Sequence, residues 1–401
     1  MQALTISSYT VTTALGCGNQ ANFDSLQQQE SGLIANNFLE TDLNTWIGRV
    51  DALEEKILPH GFENYQSRNN QLAYLTLQQD GFSDAVEQAK KIYGADKIGV
   101  FLGTSTSGIL STELAYAELQ NGQFSKPDLL HFREQHNSFS LAEFVQSLFN
   151  LCGPAQVVST ACSSSAKVFA AASRYIELGL CEAAIVGGVD SLCLTTLYGF
   201  NSLELLSDEI CRPADKNRKG LSIGEAGAFA LLEKDTKESK LPPVYLLGYG
   251  ESSDAYHMSS PHPEGLGAIQ AIQSAITMAK LSPEHIDYVN LHGTATQVND
   301  QVEDKAIHAV FDCTTYCSST KGWTGHTLGA AGAVEAIYSI LCLQNNFLPG
   351  SLNTLQLDDS FKSHILLENQ YQTLHTVLSN SFAFGGNNCS LIFADNKGCQ
   401  A

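Results

Sequence analysis

Cys162 is the residue in this chain best placed for covalent chemistry. It stands in the run Val157-Val158-Ser159-Thr160-Ala161-Cys162-Ser163-Ser164-Ser165-Ala166, where an apolar β-branched stretch gives way to a small-residue helix, Ala166 to Leu178. A thiol at such a strand-to-helix corner meets the positive end of the helix macrodipole, which favours the thiolate, the nucleophilic form. Alone, the same cysteine would read as a small apolar filler of a core. Two histidine motifs far along the chain decide against that reading. The first is Asn290-Leu291-His292-Gly293-Thr294-Ala295-Thr296-Gln297-Val298-Asn299-Asp300, an apolar strand followed by small polar residues. The second runs from Ser319 to Glu335 and brings Lys321 and His326 to the start of a Gly- and Ala-rich helix. A fourth motif, Asn380-Ser381-Phe382-Ala383-Phe384-Gly385-Gly386-Asn387-Asn388, has glycines whose backbone freedom lets main-chain N–H groups point at a substrate.

The elements that must position these residues alternate short β-branched runs with longer helical stretches, which predicts a layered α/β fold. Strands are expected at Ile98–Leu102, Gln156–Ser159, Ala183–Gly187, Ala228–Leu232, Val244–Gly248, Ile286–Leu291 and Cys389–Ala394. Helices are expected at Asn70–Tyr93, Ala166–Leu178, Ala268–Ala279, Asp300–Phe311 and Leu328–Gln344. Pro242-Pro243, after the charged stretch Glu233–Lys240, marks the internal boundary, dividing the chain into 1–241 and 242–401. The two sides echo each other: Val157–Leu178 and Cys317–Leu341 both read strand, polar corner, Ala-rich helix. Gly103-Thr104-Ser105-Thr106-Ser107-Gly108 lacks the Lys-Ser/Thr ending of a phosphate loop and reads as a turn lining the pocket.

Composition narrows the function classes. The 401 residues are 43% hydrophobic, ample for a large core. With 22 Lys and Arg against 42 Asp and Glu the net charge is −20, which disfavours nucleic acid and anionic membranes as partners. No apolar run has membrane-spanning length, and the polar N-terminus predicts no signal peptide. The eleven cysteines are scattered with no C-x-x-C, so neither a disulfide framework nor a metal site is expected, and reduced thiols in a cytoplasmic protein are.

Together the four motifs resemble the β-ketoacyl-acyl carrier protein synthases, condensing enzymes of the thiolase superfamily. The resemblance covers nearly the whole chain. It rests on the order Cys, His, Lys, His, on T-A-C-S-S-S, on H-G-T-x-T-x-x-N-D, on K-x-x-x-G-H-x-x-G-A-A-G and on F-G-G-N-N. The two histidines resemble the elongating class. The resemblance implies a thiolase-like fold of two similar α/β halves in a layered α-β-α-β-α sandwich. It implies decarboxylative condensation of an acyl thioester with malonyl-acyl carrier protein, without a cofactor of the enzyme's own, the substrates riding on the phosphopantetheine of the carrier. Cys162 would take the acyl group, and His292 and His326 would donate hydrogen bonds to the enolate. The backbone N–H groups of Cys162 and Phe384 would form the oxyanion hole, and Lys321 with Glu335 would support the network. Thr294 and Thr296 match residues that hold the phosphopantetheine arm. Phe200 and Phe384 match the acyl gate, with Gly385 and Gly386 completing the substrate loop.

The chain also departs from the family pattern. Where D-x-x-R-D-G-F is usual it has Lys219 and Leu221, Asn387 stands where Thr is usual, and Glu204 lies near a position often basic. Lys56, Arg68, Lys126 and Arg133 are the candidates for carrier docking. These departures leave the catalytic set intact and bring a specialised polyene or polyketide pathway into competition with fatty-acid synthesis. The resemblance implies a dimer, either of two copies or of this chain with an inactive, ketosynthase-like chain-length partner, with Ala183–Gly187 as the expected interface strand. A coenzyme A-dependent thiolase is the competing enzyme, and Cys389 would have to be its second cysteine.

Overall fold

The computed structural model describes residues 2–120, 123–124, 131–234 and 243–400. Residues 235–242 lie outside that description, and with them the expected boundary at Pro242. Ten of the twelve strands of the main sheet set its frame, the other two being the short Gly16–Cys17 and His364–Ile365: β1 (Leu4–Thr13), β2 (Ile98–Gly103), β3 (Ala155–Val158), β4 (Ala183–Asp190), β5 (Ala226–Glu233), β6 (Val244–Ser253), β7 (Tyr288–Asn290), β8 (Tyr316–Ser318), β9 (Thr376–Ala383) and β10 (Asn387–Ala394). They lie in the order β3-β2-β4-β5-β1-β6-β10-β9-β7-β8. Each set of five therefore repeats one order, third-second-fourth-fifth-first, with the fifth strand antiparallel to both neighbours and the others parallel. The sets join through β1 and β6, where Leu4, Thr5 and Ile6 face Leu246, Tyr245 and Val244.

Eleven α-helices are described: α1 (Asn19–Gln28), α2 (Arg68–Leu77), α3 (Phe82–Tyr93), α4 (Ile109–Ala117), α5 (Ser140–Phe149), α6 (Ser164–Glu177), α7 (Leu194–Ser202), α8 (Leu266–Ala279), α9 (Gln297–Phe311), α10 (Lys321–Thr324) and α11 (Ala331–Asn345). The core is layered accordingly. Leu72, Phe82 and Phe144 of α2, α3 and α5 pack on the outer face of the first strand set. Val168 and Phe169 of α6 meet Val334, Ile337 and Tyr338 of α11 in the middle. Ile272, Ile276 and Ile307 of α8 and α9 cover the second set. This is the expected α-β-α-β-α order. Helix α11 is buried from Ala331 to Leu343, as a helix apolar on every face must be. Gly332 allows its close approach to α6, since a Cβ there would stand 2.7 Å from the Ala166 Cβ.

Two expectations change. The single helix expected over Asn70–Tyr93 is broken into α2 and α3, because Asp80 and Gly81 take φ of 54° and 70°. The strand expected at the subunit interface is interior. β4 is buried throughout and paired on both sides, with β2 and β5. The edge strand beside the nucleophile is β3, whose four residues are half-buried and which pairs with β2 alone among the described strands. Among the described residues no helix is long and apolar enough to cross a membrane. Ile185 is fully buried, so a carboxylate there is left unpaired in the core. Ile185→Glu is expected to lose cooperative thermal unfolding altogether, rather than yield a folded monomer by light scattering.

Candidate active site

The nucleophile corner is strained and tied. β3 ends at Val158, α6 begins at Ser164, and Ala161 between them holds φ 51°, a region that L-residues seldom adopt. Hydroxyls hold the turn. The Ser164 Oγ accepts the Thr160 N–H at 2.9 Å and donates to the Ala161 carbonyl at 2.6 Å, and the Ser163 Oγ donates to the Thr160 carbonyl at 3.0 Å. The Ser165 Oγ accepts the Ala333 N–H at 2.8 Å and so fixes α6 to α11. This is what the serine run does. Burial pushes the Cys162 thiol up to about 11, against the pull of Lys321 and of the N–H groups of Phe384 and Cys162 itself. Desolvation of the charged form, which the sequence argument for a thiolate left out, outweighs Lys321 and these N–H groups.

The fold brings together what the sequence separates. The side chains of Cys162, His292 and His326 place one ligand-type atom each within 4.8 Å of one another, and the imidazole planes stand at 85° with centroids 5.3 Å apart. Lys321 is buried at the start of α10. Its Nζ donates to Glu335 Oε1 and to the His292 carbonyl, and lies 3.3 Å from His292 Nδ1. The pairing of Lys321 with Glu335, fourteen residues apart, is thus supplied by the meeting of α10 and α11. His326 Nδ1 accepts the Leu328 N–H at 3.1 Å. Both imidazoles are held well below the ordinary 6.5, first by burial and then by the Lys321 charge. Each ring is therefore neutral, with Nδ1 taken as acceptor and the proton on Nε2. Among the described residues the buried His326 Nε2 has no hydrogen-bond partner, so its N–H is open to an acceptor that enters the site. Cys-His-His spacing of this kind could hold a soft metal, but ligand nitrogens must be unprotonated, and these two present N–H groups.

The site opens to a cavity of about 350 Å³. Cys162, His292, His326, Thr294, Thr296, Phe200 and Phe384 all line it. Phe200 on α7 stacks on Phe384, centroids 5.9 Å apart and planes at 24°. The Thr294 and Thr296 hydroxyls lie 2.9 Å apart. Lys219, Leu221 and Glu204 line the same cavity, so three of the four departures from the family pattern share it, and Asn387 does not line it. Gly385 and Gly386 do not line it. Their φ of 78° and 70° turn the loop, and the Gly385 N–H donates to the Met258 carbonyl at 2.7 Å, leaving the Phe384 N–H as the one aimed at sulphur. Gly103–Gly108 also lies away from the cavity. Its Thr104 and Thr106 hydroxyls and Ser105 and Thr106 N–H groups bind the buried Asp190 carboxylate at 2.8 Å.

Sequence reasoning missed the carboxylates that shape the site from behind. Glu303 accepts the N–H groups of His292 and Gly293 at 2.8 and 2.7 Å, and burial raises it to about 7. Asp300 accepts the N–H groups of Ala214 and Ala295 at 2.8 and 3.1 Å. Their signal was present: Asp300, Glu303, Asp304 and Ile307 share one buried helical stripe, so that α9 turns three acids inward. Glu225 accepts Arg68 Nε at 2.7 Å and the N–H groups of Val50 and Leu192 at 2.9 Å. That buried pair removes Arg68 from the docking candidates. Arg133 is exposed but paired with Glu143, Lys56 is half-buried, and Lys126 lies outside the described residues. Cys389 is buried in β10 and does not line the cavity that Cys162 lines, so it is not placed as a thiolase's second cysteine would be.

Removing Lys321 strands a buried carboxylate, a loss of the kind that costs about 3–5 kcal/mol. Lys321→Ala is expected to lower stability in urea by that amount, while Lys321→Ala with Glu335→Leu recovers part of it.

Comparison with known proteins agrees with this geometry. The N-terminal domain of the β-ketoacyl synthases matches residues 11–238 and their C-terminal domain residues 244–355. The mitochondrial 3-oxoacyl-[acyl-carrier-protein] synthase of Arabidopsis thaliana is 38% identical over 62% of this chain, and the match spans 58% of that enzyme's length. 3-oxoacyl-[acyl-carrier-protein] synthase 2 of Coxiella burnetii is 32% identical over 75% of this chain and 76% of its own. The ketosynthase ApeO of Xenorhabdus doucetiae, solved in complex with its chain length factor ApeC, superposes with a TM-score of 0.91 at 38% identity, covering 98% of both chains. Both domains of one family are thus matched in order along the chain, and this chain is a member of the β-ketoacyl synthase family, the acyl-transferring condensing enzymes.

Proposed function

We propose that the protein extends an acyl chain by two carbons from malonyl-acyl carrier protein. The observation that carries this reading is the convergence of one thiol, two main-chain N–H groups and two neutral imidazoles at the base of one cavity. Cys162 attacks the acyl thioester and the carrier thiol leaves with the proton, giving acyl-Cys162. Malonyl-carrier then loses carbon dioxide, and negative charge develops on the enolate oxygen. The Nε2–H groups of His292 and His326 stabilise that oxygen. The enolate carbon attacks the acyl carbonyl, whose oxygen is held by the N–H groups of Cys162 and Phe384, and the Cys162–acyl bond breaks. Thr294 and Thr296 hold the phosphopantetheine arm, Phe200 and Phe384 gate the acyl group, and Lys321 with Glu335 fixes the imidazoles. No cofactor beyond the carrier's own arm takes part. A cytoplasmic setting suits the eleven unpaired cysteines.

We further infer a heterodimer with an inactive, ketosynthase-like chain-length partner in a specialised polyene or polyketide pathway. The likeness to a ketosynthase solved with its chain length factor supports this over a homodimer, and so do Lys219, Leu221 and Glu204 at the opening. The half-buried edge strand β3, which leads straight into Cys162, is the surface we assign to that partner.

Cys162→Ala is expected to abolish condensation while retaining decarboxylation of malonyl-carrier, measured as released carbon dioxide. His326→Ala in that background loses decarboxylation by about 2.7–4 kcal/mol of barrier. Protonation of either ring needs a pH well below 6.5, so decarboxylation by Cys162→Ala stays level from pH 8 to pH 6; an inflection near 6.5 would contradict neutral donors. Val157→Pro on the outer edge of β3 is expected to dissociate the dimer and suppress activity, read by light scattering and product formation.

A further inference from the structure

The acyl gate rides on a helix that the rest of the fold holds lightly. α7 has nine residues, Leu194-Thr195-Thr196-Leu197-Tyr198-Gly199-Phe200-Asn201-Ser202, and only Leu197 is buried. Such a length is marginal for an isolated helix, and Thr195, Thr196 and Gly199 weaken it further. Its own N-cap, Cys193, reaches Thr196, its thiol lying 3.3 Å from that hydroxyl, and leaves the Leu194 and Thr195 N–H groups to another acceptor. A carboxylate from another helix does that work instead. Glu113 of α4 reaches across and accepts the Leu194 N–H at 2.9 Å and the Thr195 N–H at 2.7 Å, one with each oxygen. It thereby satisfies two of the amides that a helix start leaves open and sets a negative charge at the positive end of the dipole. Behind it, Ile109 and Leu110 of α4 share an apolar cluster with Leu194, Leu197 and Phe200 of α7 and with Leu221 of the cavity wall. At the far end of α7, Phe200 stacks on Phe384, whose N–H approaches the Cys162 sulphur.

We propose that Glu113 is a positioning residue that sets the acyl gate: by capping α7 from α4 it fixes Phe200 against Phe384 and so decides which acyl groups reach Cys162. This rests on the condensing reading for its biological sense, but the gate itself can be read without catalysis. The test labels Cys162 in the intact protein, with its partner where it has one, using iodoacetamide and N-dodecyl iodoacetamide. The readout is the ratio of the two rates. Glu113→Ala is expected to raise the relative rate of the long reagent at least fivefold while the small reagent changes less than twofold. Gly199 offers the control. It sits inside α7 with nothing within 4 Å of a Cβ built on it, so Gly199→Ala stiffens the helix without a clash. The double variant Glu113→Ala, Gly199→Ala is expected to bring the ratio at least halfway back, on a logarithmic scale, to that of the parent protein. Glu113→Gln, which keeps the shape and loses the charge, replaces the alanine variant if that one does not fold. A ratio within twofold of the parent in a folded Glu113 variant overturns the proposal, and so does a shifted ratio that Gly199→Ala leaves untouched. Failure of the parent protein to form acyl-Cys162 from any thioester would sink the condensing reading instead, and would leave the labelling ratio as informative as before.

Discussion

The site depends on one buried cation. Lys321 joins three pieces of backbone that the chain delivers separately: the end of β7 through the His292 carbonyl, the start of α10 on which it sits, and α11 through Glu335. An ammonium in this interior would be costly without partners, and its three protons find acceptors in Glu335, the His292 carbonyl and His292 Nδ1. The same charge acts on the chemistry. It adds to the burial that already lowers both imidazoles and keeps them neutral, and it opposes the burial that disfavours a thiolate at Cys162. One group thus fixes the geometry and reinforces the protonation states that burial sets.

A second set of charges works on backbone alone. Asp190, Glu225, Glu303 and Asp300 are buried, and each is bound to main-chain N–H groups of loops; Glu303 and Asp300 hold the loop that borders the cavity at His292 and Thr294, while Asp190 and Glu225 hold segments away from it. A loop cannot satisfy its own amides as a helix or sheet does, so a loop placed in the interior needs acceptors from outside. Carboxylates suit this purpose because one side chain takes several N–H bonds in defined directions. The acids of this −20 chain are therefore not only a surface charge. Some of them build the walls that put His292, Thr294 and Phe200 where they stand.

Duplication supplies the overall frame. Two strand sets with the same order place the α6 and α11 starts side by side, one carrying Cys162 and the other following His326. The contact is close because Gly332 faces Ala166 and because the Ser165 hydroxyl takes an α11 amide. The small residues of both corners, which look like low-information sequence, are what the crossing of two buried helices requires.

Much was legible in the chain itself. Periodicity gave the α/β class and located most strands and helices within a few residues. The motifs around Cys162, His292, Lys321, His326 and Phe384 identified the family, because those residue types and local spacings are set by chemistry within a few residues of chain. What sequence could not decide were quantities that arise between distant segments. Whether β3 or β4 is the sheet edge depends on strand order, which no local pattern encodes. Whether Arg68 faces a carrier or pairs with Glu225 depends on a contact across 157 residues. The Cys162 thiol shows the limit most plainly: its position at a helix start is local and argues for a thiolate, but its burial is a property of the packed fold, and desolvation raises the thiol against the pull of Lys321 and two main-chain N–H groups. Sequence determined which groups are present and what they are able to do; only the tertiary structure decided their neighbours, their exposure and hence their protonation, because those follow from packing and not from the order of residues.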